Sequence, residues 1–148
     1  MRFSGIAIIA ALALSFWQGP ALAQARATLH VTVQGVVAGG GILRMGLYER
    51  AGYAKDDNPV AFADVPARPG VTVVTLTNIP PGEYGLMVYQ DVNSNDRTDS
   101  NFLGIPREPY GFSRNARPFL SKPGFDEVKF TVAPGENSQT LRLQNTGS

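Results

Sequence analysis

Cysteine is absent from the 148 residues, and histidine occurs once, at His30. The first absence excludes disulfides, thiolate catalysis, thiolate-held zinc or iron–sulfur clusters and an N-terminal lipid on cysteine. The second excludes a two-histidine metal site within one chain. Charge of one sign is missing too: 13 Lys and Arg stand against 12 Asp and Glu. A chain so balanced lacks the basic footprint of a nucleic-acid binder. No apolar run reaches the roughly 20 residues that span a bilayer, and no stretch carries a helical stripe.

The longest apolar run is Gly5–Trp17, 13 residues behind Arg2. Gly19-Pro20 breaks it, and Ala21-Leu22-Ala23 follows as a small-x-small cleavage pattern. This is the layout of a secretory signal peptide over residues 1–23, with a mature chain starting at Gln24 in the periplasm or outside the cell and no membrane span left after cleavage. Loss of Arg2 leaves 12 basic against 12 acidic residues, and the only tryptophan, Trp17, goes with the leader. Residues 24–148 are enough for one domain with one core. Without disulfides, that domain is held by packing or by a metal ion.

From Arg26 onward the apolar residues fall at period two, the pattern of half-buried strands. Leu29, Val31 and Val33 alternate with His30, Thr32 and Gln34. After Gly39-Gly40-Gly41, Leu43, Met45 and Leu47 alternate in turn, so the two runs read as a hairpin. A weaker strand is expected near Val60–Val65, and Val71–Ile79 is rich in β-branched residues. Pro80-Pro81-Gly82 marks a turn, because proline presets φ and glycine accepts positive φ. Tyr84, Leu86 and Val88 follow. A late run of Val128, Phe130 and Val132 turns at Pro134-Gly135-Glu136-Asn137 into Leu141 and Leu143. Six or seven short strands predict an all-β, antiparallel β-sandwich of immunoglobulin-like or transthyretin-like type, with a small closed barrel as the runner-up.

One segment breaks the pattern. Asp91–Gly124 has no strand period, and loops this long are functional or held by something. It opens with Asp91, Asn93, Asn95, Arg97 and Asp99, oxygen-bearing positions at the spacing of a calcium loop, with the Arg97 carbonyl as the backbone ligand. Asp96 stands where such loops carry glycine, and Asp tolerates the left-handed conformation moderately well. Phe102 stands where they carry a bidentate Glu. The competing reading is a metal-free turn in which Asp and Asn cap their own backbone. The segment continues with Phe102, Tyr110, Phe112 and Phe119 beside Arg107, Arg114 and Arg117, the composition of an interaction surface. Arg107, Tyr110, Phe112, Arg114 and Asn115 are the candidate binding residues. The alternative is that the aromatics cover one end of the sandwich while the arginines pair with Glu108, Asp126 and Glu127.

The run from Tyr89 to Phe112 resembles a bacterial family, domain of unknown function 2141. The D-x-N-x-N of Asp91–Asn95, Asp99, the NFLGIP of residues 101–106 and the YGFS of residues 110–113 carry the likeness. The turn Pro80-Pro81-Gly82-Glu83-Tyr84 and the opening ATLHVTVQGV match as well. Family members often carry Asn-Gly-Asn-Gly in the first motif, where this chain has Asn93-Ser94-Asn95-Asp96. The resemblance implies an exported, β-rich protein and brings no activity with it.

For an enzyme the residues offer little. There is no nucleophile-elbow motif, and a triad would need His30 to meet a hydroxyl and a carboxylate. Asp91 and Asp99 are the obvious pair for carbohydrate hydrolysis, yet both belong to the calcium-type loop. No catalytic residue is assigned. The expectation is a non-catalytic binding or accessory module of the envelope, with calcium as the one candidate cofactor. Its partner would be an envelope protein, a peptide or a glycan, the last served by Tyr48, Tyr53, Tyr84, Tyr89 or Tyr110.

Overall fold

A computed structural model describes residues 25–99, 107–119 and 121–145. The expected leader and the NFLGIP motif lie outside the described residues. Eight strands run through the rest: β1 Ala27–Val36, β2 Ile42–Tyr48, β3 Ala61–Pro66, β4 Gly70–Ile79, β5 Gly82–Asp91, β6 Tyr110–Phe112, β7 Phe130–Val132 and β8 Gly135–Arg142. Two short helices are interleaved, α1 Arg50–Lys55 and α2 Phe125–Val128. Among the described residues no helix is long and apolar enough to cross a membrane.

The strands form two sheets, as the period-two runs predict. One has the order β4-β1-β8; the other has the order β3-β2-β5-β6, with β7 also on β5. All pairings are antiparallel except β1 with β8, which is parallel. Alternation decides the facing. Leu29, Val31 and Val33 of β1 meet Leu43, Met45 and Leu47 of β2 and Leu86 and Val88 of β5 in the main core. His30, Thr32 and Gln34 look outward.

The β1–β2 hairpin is corrected. β1 pairs with β4 and β8, whereas β2 pairs with β3 and β5 in the opposite sheet. Each run has one apolar face, and setting the two in facing sheets lets both faces share one core. The glycines make the crossing instead of a tight hairpin turn. Gly40 and Gly41 hold φ of 74° and 80°, and a side chain on Gly41 would collide with the Asp91 carbonyl. Gln90, fully buried, fastens the crossing. Its Oε1 accepts from the Val37 N–H at 2.9 Å, and its Nε2 donates to the carbonyls of Val37 and Gly40 at 3.0 and 2.7 Å.

The Pro80–Gly82 turn is a second arch between sheets, joining β4 to β5. The Tyr84 hydroxyl donates to the Pro80 carbonyl at 2.6 Å, a tyrosine corner of the kind that immunoglobulin-type sandwiches use. The late run needs a correction as well. Val128 ends α2 and only Phe130–Val132 is strand. Glu127 and Gly124 exchange hydrogen bonds at the start of α2, and Phe125 and Val128, three apart, turn one face inward. They join Tyr53 of α1 and Phe112 of β6 in a second apolar cluster at one end of the sandwich. Tyr53 meets Phe125 edge-on at 5.8 Å.

The two sheets touch along one side. After β8, Gln144 forms an antiparallel bridge to Tyr110. The opposite side ends in β3 and β4, the outermost strands of their sheets. Among the described residues, hydrogen bonding thus approaches the barrel expected as the runner-up along the Tyr110–Gln144 seam.

Candidate functional site

The loop that begins at Asp91 is built from the end of β5 downward. Asp91 is the last residue of β5 and is 0% exposed. Its Oδ1 accepts from the Asn95 N–H at 3.0 Å, and its Oδ2 accepts from the Asp96 N–H at 2.9 Å and from Arg44 Nε at 3.1 Å. Burial by itself raises the pKa of this carboxyl; the Arg44 guanidinium and the two amides outweigh it and hold the group below the usual carboxylate range. The turn needs the left-handed conformation at two places, Ser94 with φ 55° and Asp96 with φ 62°. Asp96 therefore does at the sixth position what glycine does in other loops of this spacing.

Beyond Asp91 the side chains bind one another. Asn93 Oδ1 accepts from the Asn95 N–H at 3.2 Å, and Asn95 Oδ1 from the Arg97 N–H at 2.9 Å. The amide nitrogens of Asn93 and Asn95 donate to the two oxygens of Asp99 at 2.7 and 3.0 Å. Glu108 closes the loop from the other side. Almost buried, it accepts from the Val92 N–H at 2.9 Å and from the Asp99 N–H at 3.2 Å, while the Arg107 N–H donates to the Asp99 carbonyl at 2.7 Å. Val92, Asn93, Asp99, Arg107 and Glu108 line a shallow cleft.

Sequence reasoning missed Arg44 and gave Glu108 a different partner. Arg44 lies across the sheet from Tyr89 on one side and Asp64 on the other. Its guanidinium reaches Asp91, Asp64 at 2.6 Å and Asp96. The signal was there, an arginine among the apolar residues of β2, but its carboxylate partners are 20, 47 and 52 residues away.

The fit of calcium to this set is partial. Asn93, Asn95 and Asp99 come together, but through amide N–H groups that donate to the Asp99 carboxylate, while the Asn93 and Asn95 oxygens accept from backbone amides as in the metal-free turn of the competing reading. Asp91, the first position, has both oxygens engaged by N–H donors, and a guanidinium stands where cation charge would enter. Among the described residues no group of three or more His, Cys, Asp or Glu is placed to hold a metal ion.

The five candidate binding residues do not share one surface. Arg107 is exposed at the cleft. Tyr110 is half-buried beside Phe112, edge-on at 6.0 Å, and Phe112 belongs to the second cluster. Arg114, with φ 59°, directs Nη1 to the Asp126 carbonyl at 3.3 Å. Asn115 Oδ1 accepts from the Arg142 N–H at 2.8 Å. The expected pairing of the loop arginines with Glu108, Asp126 and Glu127 also changes hands: Asp126 pairs with Arg50 and Lys129 through its side chain, and Glu108 and Glu127 accept from backbone amides. Among the tyrosines, Tyr53 and Tyr84 are buried, so neither can serve as a glycan platform.

His30 does meet a hydroxyl and a carboxylate, with Nδ1 at 3.1 Å from Thr75 Oγ1 and Nε2 at 2.7 Å from Glu136 Oε2. The three lie on the flat outer face of a sheet with His30 and Glu136 side chains 46% and 73% exposed. Both imidazole nitrogens are taken up in this surface network, which ties β1 to β4 and β8. The Asp91–Asp99 pair fares no better as an acid–base couple: Asp91 is sealed from solvent, and its pKa lies in the wrong direction for a general acid.

Comparison with known proteins bears on the same chain. A family model described as an uncharacterized protein conserved in bacteria, DUF2141, matches residues 31–140. No curated protein matches the chain. Among solved structures, a pilus-presented adhesin aligns with 80% of this chain at 13% identity and a TM-score of 0.32; the chain spans 27% of that adhesin's length.

Proposed function

The chain belongs to the DUF2141 family of bacterial proteins, and from that premise we propose that it is an exported, non-catalytic β-domain acting as a binding or accessory module of the cell envelope. The observation that carries the reading is the 91–124 segment. It is tied down at Asp91 by Arg44 and at Ser113, whose Oγ accepts from the Leu86 N–H and donates to the Val128 carbonyl. Between and after these ties it exposes Arg107, Arg114, Arg117 and Phe119, the last 85% exposed. Fixed anchors beneath exposed arginine and aromatic side chains suit recognition. Loss of Tyr53 and Tyr84 to the interior narrows the partner toward an envelope protein or peptide over a glycan.

Two measurements test this. N-terminal sequencing of protein from the periplasm or medium should begin at Gln24; a chain retaining Met1 or Arg2 defeats the export reading. Cosedimentation with purified peptidoglycan sacculi and with solubilised envelope proteins should show retention that Arg114→Ala combined with Phe119→Ala removes. No retention in either arm defeats the binding reading.

Calcium is a second reading of the loop, favoured by the spacing of the oxygen-bearing residues Asp91, Asn93, Asn95 and Asp99 and opposed by Arg44 and by the Asn93 and Asn95 amide N–H groups that occupy the Asp99 carboxylate. Under it, millimolar Ca²⁺ raises the melting temperature, and saturation at 100 times Kd adds about 2.7 kcal/mol. Asp99→Ala abolishes the rise. Absence of calorimetric binding up to about 10 mM, above the weak extracellular range, strikes calcium out.

A further inference from the structure

We propose that β4 is a pairing edge for a second copy of this chain, joining two three-stranded sheets through antiparallel β4–β4 contact. β4 is the outermost strand of the β4-β1-β8 sheet, and among the described residues only β1 pairs with it. An outer strand offers a row of backbone donors and acceptors, and proteins normally guard it with charge, proline, bulges or shortness. Between Val71 and Leu76 β4 has none of these; an irregularity against β1 falls beyond that stretch, between Leu76 and Ile79, where Asn78 holds φ 60°. Gly70–Ile79 contains no charged residue and no proline, and from Val71 to Thr77 every residue but Leu76 is β-branched. Val71 and Val73 are 53% and 62% exposed on its outer face.

The strand at the same side of the other sheet shows the contrast. β3 is six residues long, carries Asp64 on its outer face and ends at Pro66. β3 carries its guards within the strand, whereas those of β4 stand at its ends and leave Val71–Leu76 bare.

The occupant follows from the chemistry of the edge. An uncharged strand pairs with its own copy without opposing like charges, and the near-neutral chain, at +1, adds little repulsion between molecules. β1 already demonstrates what β4 accepts, an antiparallel strand of Val and Thr in the register Val31↔Val74, Thr32↔Val73 and Val33↔Thr72. A two-fold axis at Val73 sets that residue opposite its own copy and Val71 opposite Thr75, cross-strand β-branched pairs that favour pairing. The contact is self-limiting. Pro66 and Pro69 precede the strand and Pro80 and Pro81 follow it, and proline cannot extend a ladder. At the far side of each sheet the chain after β8 is joined to Tyr110. The pairing therefore closes at two copies instead of growing into a filament. A single strand edge is smaller than a standard interface of about 1,200–2,000 Å², so the dimer exchanges readily and responds to concentration.

Sedimentation equilibrium of the purified protein from roughly 10 μM to 1 mM tests this. The wild type shifts from monomer toward dimer mass. Val73→Lys and Val73→Glu, each at an exposed position with circular dichroism checked against the wild type, stay monomeric throughout. Their equimolar mixture regains the dimer, because opposite charges then face each other across the axis. A wild type that stays monomeric overturns the proposal and leaves the edge to a strand of another protein; a dimer that survives Val73→Lys overturns it too, by placing the contact elsewhere.

Discussion

Arg44 is where the loop and the sheet are joined. Its side chain is only 16% exposed, and it is the positive charge that the buried Asp91 carboxylate touches. Replacing it with glutamine leaves that carboxylate unpaired in a dry setting, a costly state. We expect Arg44→Gln to lower the melting temperature by at least about 4 °C. The pH dependence separates this from a packing loss. The folded pKa of Asp91 is depressed, so its stabilising contribution is present above the unfolded value of about 3.9 and is lost as pH falls through the lower folded value. In Arg44→Gln only burial and the amides remain, the folded pKa rises, and the acid loss of stability moves to higher pH. Melting curves between about pH 2 and 7 show the displacement; parallel curves for the two proteins refute it. Gln90 is the other single residue on which an arrangement depends. Gln90→Ala leaves the Val37 amide and two carbonyls of the β1–β2 crossing without their partner, and a loss of about 2–4 kcal/mol is expected in denaturant unfolding.

β5 organises the elements around it. It pairs with β2 on one side and with β6 and β7 on the other. Tyr84, Leu86 and Val88 face the main core, Met87 packs on the second cluster, and Asp91 begins the loop. Its start is set by the tyrosine corner. Tyr84→Phe removes the bond to the Pro80 carbonyl and keeps the ring, so about 0.5–1.5 kcal/mol should be lost without a change in fold; chemical denaturation against the wild type measures it, and an unchanged midpoint would show the corner to be dispensable. β5 and β7 were legible in the sequence because their period is local; β6 was not, for Tyr110–Phe112 is three residues inside a segment read as having no strand period, and only its pairing with Met87–Tyr89 makes it a strand. Nor were the two helices. α1 is six residues and α2 four, too short for a helical stripe to show, and both exist because Tyr53 finds Phe125 and Val128 72 and 75 positions along the chain.

The whole molecule has two apolar clusters, and β5 contributes to both. We expect a single unfolding transition. Phe125→Ala, in the smaller cluster, should lower that same transition by about 3–5 kcal/mol, followed by calorimetry; a separate early transition would mean that the helical end unfolds on its own. What the sequence determined by itself was whatever neighbouring residues decide: the period-two strands, the Pro80–Gly82 turn, the left-handed Asp96 and the motif that marks the family. Each depends on steric preference or on the apolar face of one short stretch, and these survive in any tertiary setting. Only the tertiary structure decided which strands pair, that Gly39–Gly41 crosses between sheets instead of closing a hairpin, that β1 runs parallel to β8, and that Arg44 is the cation beside Asp91. Those outcomes depend on contacts between residues far apart in the chain. An apolar face states that it must be buried and is silent about its partner, and a carboxylate states that it needs compensation and is silent about which cation supplies it.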